Sequence, residues 1–165
     1  MTPLSLLGTQ KLACLLKSTN GVDAQLALLA QSGNIQVPAI PAAQIVLSSA
    51  SPDIGDKDIQ LTYPRICLYS SGLKNNQFEK FRSFSGTLAV NVDVWASANL
   101  VDQTDEWIHY YVEAVRQVLR SNVGDWGDGV LFPGQYDVQL QPPKSGGLGY
   151  VQSARITCAL TVTEG

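Results

Sequence analysis

A chain of 165 residues with 45% hydrophobic and only 15% charged residues has ample side chains for a core and few charges to solvate its surface. Ser, Thr, Asn and Gln must then face the water, or a partner must cover part of the surface. The formal charge of −3 shows none of the basic excess that marks a nucleic-acid binder.

The three cysteines, Cys14, Cys67 and Cys158, are widely spaced and set among apolar neighbours. That pattern predicts buried free thiols in a reducing compartment rather than a disulfide or a metal site. The opening "MTPLSLLGTQKLACLL" lacks a basic leading region, and Gly8 to Lys11 interrupt its apolar run, unlike a signal peptide. No stretch approaches the length of a membrane span, so the expectation is a soluble chain made in the cytoplasm.

In chain order, Thr2 as N-cap and Pro3 at the first helical position predict a helix that "TNG" (19–21) stops. Leu4, Leu7 and Leu15 share one face of it, flanked by Leu12 and Cys14. Asp23 is placed to cap a second helix, "AQLALLAQS", closed by Gly33, so residues 1–33 read as a helical hairpin. Residues 34–64 carry Pro38, Pro41, Pro52 and Pro64 and read as extended chain. This is either an arm lying over a neighbour or a long surface connection. It holds one short strand in "AQIVLSS" and a loop at "SASPDIGDKD".

"RICLYS" (65–70) reads as a buried strand and "LKNNQFEK" (73–80) as a polar turn. In "FRSFSGTLAVNVDVWAS" Leu88, Val90, Val92 and Val94 alternate with Thr87, Ala89, Asn91 and Asp93, which predicts a strand with one wet face. Gly86 marks a bulge or bend in it. Asp102 is the expected N-cap of the best helix, 103–121, which "VGDWGDG" breaks. "YDVQL" is a short strand, "QPPKSGGLG" a loop, and "YVQSARITCALTVT" the last strand. There Ala154, Ile156, Cys158, Leu160 and Val162 point one way and Arg155, Thr157, Thr161 and Thr163 the other. The order ααβ(β)βαββ predicts one α+β domain, an antiparallel or mixed sheet packed against one long helix. The helical hairpin precedes it, and the core runs over 65–163.

His109 is the only histidine, with Asp105 four residues before it and Glu113 four after. On the helical wheel it falls opposite the arc of Trp107, Ile108, Tyr111, Val112, Ala114, Val115, Val118 and Leu119. A solvated helix face does not desolvate or orient a general acid or base, and no third ligand converges for a metal. His109 therefore reads as a solvated or partner-facing residue. No nucleophile elbow appears, and neither "GDWGDG" nor "SGGLG" has the Lys-Ser/Thr ending of a phosphate loop. Turn chemistry explains both, and Asp125 with Asp128 lacks the ligand spacing of an EF-hand. These residues predict no enzyme, no cofactor and no metal.

"LKNNQFEKFRSF" interleaves Lys74, Lys80 and Arg82 with Phe78, Phe81 and Phe84. Such interleaving serves single-stranded nucleic acid in some proteins. With Glu79 inside the run and a net negative chain, a partner-facing segment is the stronger reading. Trp126 and Phe132, after the long helix, read as core lids or as contact residues.

Five phrases, "YPRICLYSSG" (63–72), "FEKFRSFSGTLAVNVDVWASA" (78–98), "EWIHYYVEAVRQVL" (106–119), "GDWGDGVLFPGQYDV" (124–138) and "GYVQSARITCALTV" (149–162), follow one another in an order that resembles the small tail-completion proteins of tailed bacteriophages and prophages. These are the tail terminators, also known as head-to-tail joining proteins. The resemblance covers residues 60–163 and includes no catalytic motif. It implies a structural virion protein, assembled in the host cytoplasm and residing where tail meets head. It also implies a six-fold ring that caps the tail tube protein, ends its polymerisation and docks the head connector, with no cofactor and no membrane. A negative chain suits a channel that DNA must cross without binding. Alternatives are a neck protein that joins head to tail without controlling length, and a small module binding nucleic acid or a host protein.

Overall fold

The computed structural model describes residues 2–48 and 62–165, so the loop expected at "SASPDIGDKD" lies outside the described residues. Helices α1 (Leu4–Lys17) and α2 (Val22–Gly33) come first, followed by a 3-10 turn at Ala42–Gln44 and strand β1 (Ile45–Val46). Next come β2 (Arg65–Lys74), β3 (Phe84–Ala98) and the long helix α3 (Val101–Ser121). The chain ends with β4 (Gly124–Gly127), β5 (Val130–Phe132), β6 (Tyr136–Leu140), β7 (Lys144–Gly146) and β8 (Gly149–Glu164). The strands form one sheet in the order β1-β2-β3-β8-β5-β4, with β6 and β7 also on β8. Among the described residues only β1 and β2 run parallel, so the protein is α+β with a mixed sheet.

Two strands set the frame. β3 and β8 pair without a break from Phe84 opposite Glu164 to Ala98 opposite Tyr150. Their period of two puts Leu88, Val90, Val92 and Val94 beside Leu160, Cys158, Ile156 and Ala154 on one face, all buried. Helix α3 covers this face with Ile108, Tyr111, Val115, Val118 and Leu119, the stripe that its 3.6-residue period requires. Burying each such side chain stabilises by about 1.5–3 kcal/mol.

The helix layer departs from expectation in one respect. α3 is not alone on the sheet, because α1 lies beside it. The buried stripe of α1 is Gly8, Thr9, Leu12, Ala13 and Leu16, not the face of Leu4, Leu7 and Leu15. Gly8 fits this orientation: a Cβ there would lie 2.4 Å from Leu88 Cδ2, so any larger residue would have to push the Leu88 side chain aside. Cys14 is turned outward as a result, whereas Cys67 and Cys158 are buried.

The helix starts also differ. None of the three has a side-chain cap, and Pro3, Gly21 and Leu100 hold the N-cap positions expected for Thr2, Asp23 and Asp102. Asp23 instead accepts the N–H of Ile40 at 3.3 Å, and the Tyr111 hydroxyl donates to the Pro38 carbonyl at 3.0 Å. With Ile40 and Ile45 buried, residues 34–48 pack on the chain's own core. This part of the Pro-rich segment is a connection and not a free arm.

The glycine-rich stretches are hairpins as well as turns. Asp128 (φ 54°) and Gly129 (φ 77°) form the two-residue turn joining β4 to β5, the left-handed pair that an Asp-Gly step favours. "SGGLG" closes β7 on the start of β8. β5, β6 and β7 thus follow one another along one edge of β8. No helix among the described residues is long and apolar enough to cross a membrane.

Burial pushes the Cys158 thiol up to about 12 and raises Cys67 and Tyr111 as well. In the unfolded chain a thiol ionises near 9, so between that value and about 12 the unfolded state loses its proton first. Stability is expected to hold through neutral pH and to fall above pH 9, by roughly 1.4 kcal/mol per pH unit for Cys158, with Cys67 adding to the loss in the same direction. Urea melts at stepped pH check this. At pH 8 a thiol reagent is expected to label Cys14 alone, read by mass spectrometry.

Candidate interaction surface

The link between β2 and β3, residues 75–83, stands off the end of the sheet. Its base is fixed by backbone and side-chain bonds. Gln77 N–H donates to the Ser85 carbonyl at 3.2 Å, Ser83 N–H to the Glu164 carbonyl at 2.9 Å, and the Thr87 hydroxyl to Asn76 Oδ1 at 3.2 Å. The bend expected at Gly86 is a close backbone approach. A Cβ there would lie 1.8 Å from the Lys74 carbonyl oxygen.

At the tip Phe78 is 96% and Phe81 98% exposed. Phe81 also holds a left-handed backbone (φ 70°), which costs a non-glycine residue roughly 1–3 kcal/mol. Lys80 and Arg82 flank it, both exposed, and Arg82 Nε lies 3.6 Å from Glu79 Oε2. Two bare phenyl rings stand on a pinned base with cations beside them, an exposed apolar and basic tip.

The other residues expected at an interface divide. Phe84 is half-buried and packs on the main core. Trp126 is half-buried at the corner after α3, its indole N–H donating to the Asn122 carbonyl at 2.7 Å. Its ring centroid lies 5.5 Å from that of Phe132. Phe132 itself is 0% exposed, so it is a core side chain and leaves the contact set. Only Phe78, Lys80, Phe81 and Arg82 come together on open surface.

The sheet face away from the helices is polar but drier than expected, with Asn91 6% and Asp93 8% exposed. Arg155 lies over it and donates to Asp93 from Nε at 2.7 Å and Nη2 at 2.9 Å. The Tyr69 hydroxyl donates to the same carboxylate at 3.1 Å, and the Thr157 hydroxyl to Asn91 Oδ1 at 2.9 Å. These bonds raise the Arg155 pKa, Asp93 being the main cause. Donors and acceptors here satisfy one another across strands.

His109 is exposed on α3. The carboxylates on either side of it are engaged elsewhere. Asp105 accepts from Gln152 Nε2 at 3.0 Å, while Glu113 takes Arg116 and the amide of Gln117. Asp128 pairs with Lys11 at 2.7 Å, and Asp125 accepts the Gly127 N–H at 2.7 Å. Among the described residues no three His, Cys, Asp or Glu side chains converge as metal ligands.

Sequence reasoning missed a second set of exposed apolar side chains, Val138 and Leu140 on β6. "YDVQL" gives their alternation, but it does not show that β6, among the described residues, has a strand on one side only.

Replacing Gly86 with Ala forces the Lys74 backbone to move. A loss of about 1–3 kcal/mol in urea unfolding is expected, together with faster proteolytic cleavage within residues 75–83. No protein-family model matches the chain, and no curated protein matches it in sequence.

Proposed function

We propose that this chain is a tail-completion protein of a tailed bacteriophage or prophage, the terminator that caps the tail tube. As such it is a non-enzymatic virion protein at the junction of tail and head. Copies of the chain form a ring, six-fold as the resemblance implies, that stops tube polymerisation and offers the head connector its docking surface. DNA passes through without specific binding, in keeping with the charge of −3.

The observation that carries an assembly role is the hairpin tip. Phe78 and Phe81 are almost wholly exposed on a segment whose base is fixed to β3 and to the end of β8. Exposed phenyl rings beside Arg82 match interface cores, where aromatic residues and arginine are enriched, with Lys80 suited to the polar rim around them. The five quoted phrases supply the phage context.

Deleting the gene in the parent phage and imaging the lysate by negative-stain electron microscopy tests the reading. Overlong tails without heads are expected. Complementation with Phe78→Ser/Phe81→Ser, or with charge reversal at Lys80 or Arg82, is expected to leave the melting temperature unchanged and to fail in restoring tail length. Each lost aromatic anchor weakens docking by roughly 30-fold. Tails of normal length beside unattached full heads would shift the assignment to the joining protein. Complete infectious particles from the deletion would overturn it.

A further inference from the structure

Among the described residues, β2 past its pairing with β1 and β6 each have one side without a strand, and the chemistry of these two edges matches. We propose that copies of this chain join head to tail through the sheet, the free edge of β6 in one copy pairing with the free edge of β2 in the next. The inference rests on the self-assembly in the reading above and names the contact that makes it.

The register shows which backbone groups are free. Gln141 N–H donates to the Ser153 carbonyl, and Ala159 N–H to the Gln135 carbonyl. These bonds make the odd positions the hydrogen-bonded pairs of the β6–β8 ladder. Tyr136, Val138 and Leu140 therefore turn their N–H and C=O groups to the outside. The same alternation carried through β8 and β3 bonds Tyr69 inward to Asn91 and turns Ser70 outward. β1 covers β2 only as far as Cys67. Past it, Ser70 and, beyond the bulge, Leu73 face a groove or open surface, with no strand beside them among the described residues.

Side chains at the two edges are complementary. Val138 and Leu140 lie opposite Ile156 and Ala154, and Leu73 lies opposite Leu88, so all three sit on the helix-covered face. All three are exposed. The groove beside Ser70 is lined by Leu6, Thr9, Leu47 and Leu68, and Leu6 and Leu47 are also exposed. Joining the edges would place the β6 aliphatics of one copy against the aliphatics at the β2 edge of the next.

Direction agrees as well. β2, β3, β8 and β6 alternate in direction, so a second copy in the same orientation presents its β2 antiparallel to β6. In that arrangement Asp137, at the start of β6, meets Lys74, at the end of β2; both are exposed. β6 lacks the lysine, proline or bulge that commonly guards an edge strand. A contact between two different edges is heterologous and closes into a ring when its rotation divides a full turn.

Proline substitution separates the two edges. Val138→Pro and Ser70→Pro each remove an outward N–H and leave the internal ladder bonds intact. In sedimentation velocity of the full chain, the unaltered protein is expected to assemble beyond a dimer. Each variant alone is expected to stay monomeric at concentrations at least tenfold higher, and an equal mixture of the two to stop at a dimer. Either variant assembling like the unaltered protein would overturn the proposal. So would dimers of Ser70→Pro alone, which would show β6 pairing with β6. An unaltered chain that stays monomeric throughout also overturns it, while tail lengths after gene deletion still decide the function independently. Should circular dichroism show a proline variant unfolded, the charge pair decides. Lys74→Asp and Asp137→Lys are each expected to weaken assembly, and the double variant to restore it; no restoration counts against the pairing.

Discussion

The structure depends on the unbroken ladder between β3 and β8. Fifteen consecutive residue pairs span roughly 45–50 Å at a rise of about 3.3 Å per residue. Helix α3, with 21 residues, spans roughly 31 Å. A sheet longer than its main helix needs further cover, and α1 provides it over Leu88 and Leu160, close enough that a Cβ at position 8 would displace the Leu88 side chain. The 75–83 hairpin grows from this overhanging end, which is why Phe78 and Phe81 meet no core.

The ladder also divides the two faces chemically. One face holds the apolar even positions of both strands. On the other, Asp93 is bonded by Arg155 and Tyr69, and Asn91 by Thr157. Removing one member of such a group would strand its partner with little water around it, which costs more than the pair contributes. The network is thus a fixed part of the sheet and makes no demand on a neighbour.

What was legible in the sequence follows from period and length. β3, β8 and α3 are long enough for their periods of 2 and 3.6 to be unmistakable, and their apolar positions are buried as read, although the β3 face expected to be wet is itself buried from Asn91 to Ser97. α1 was misoriented because hydrophobicity counts leucines, whereas the sheet selected the small side of the helix at Gly8 and Ala13. β4, β5 and β7 are three or four residues each, too short to show a period. Their signal was the Asp128-Gly129 step, which specifies a hairpin turn more strongly than a break. Of the interface residues, the tip was legible because Phe78, Lys80, Phe81 and Arg82 crowd one polar stretch. Phe132 misled because a three-residue strand does not announce which side it buries. The edges of the sheet could not be read at all, since an edge is a property of strand order and not of any strand.

The low charge content can now be placed. Few charges do not leave the polar sheet face bare: the Asp93–Arg155 ion pair and the hydrogen bonds of Tyr69, Asn91 and Thr157 tie its middle together, while the buried Ser85 hydroxyl near its end has no partner among the described residues. The unsatisfied surface lies on the perimeter: two phenyl rings at the hairpin tip, exposed aliphatics at Leu73, Val138 and Leu140, and outward backbone groups on β2 and β6. Apolar side chains and open hydrogen-bonding groups at the rim favour neighbours in the plane of the sheet, while a tip projecting from its end favours a partner above or below that plane. Lateral contacts suit copies of one chain. A contact off the end suits a different component, and the ring seated on a tube that we propose would use both.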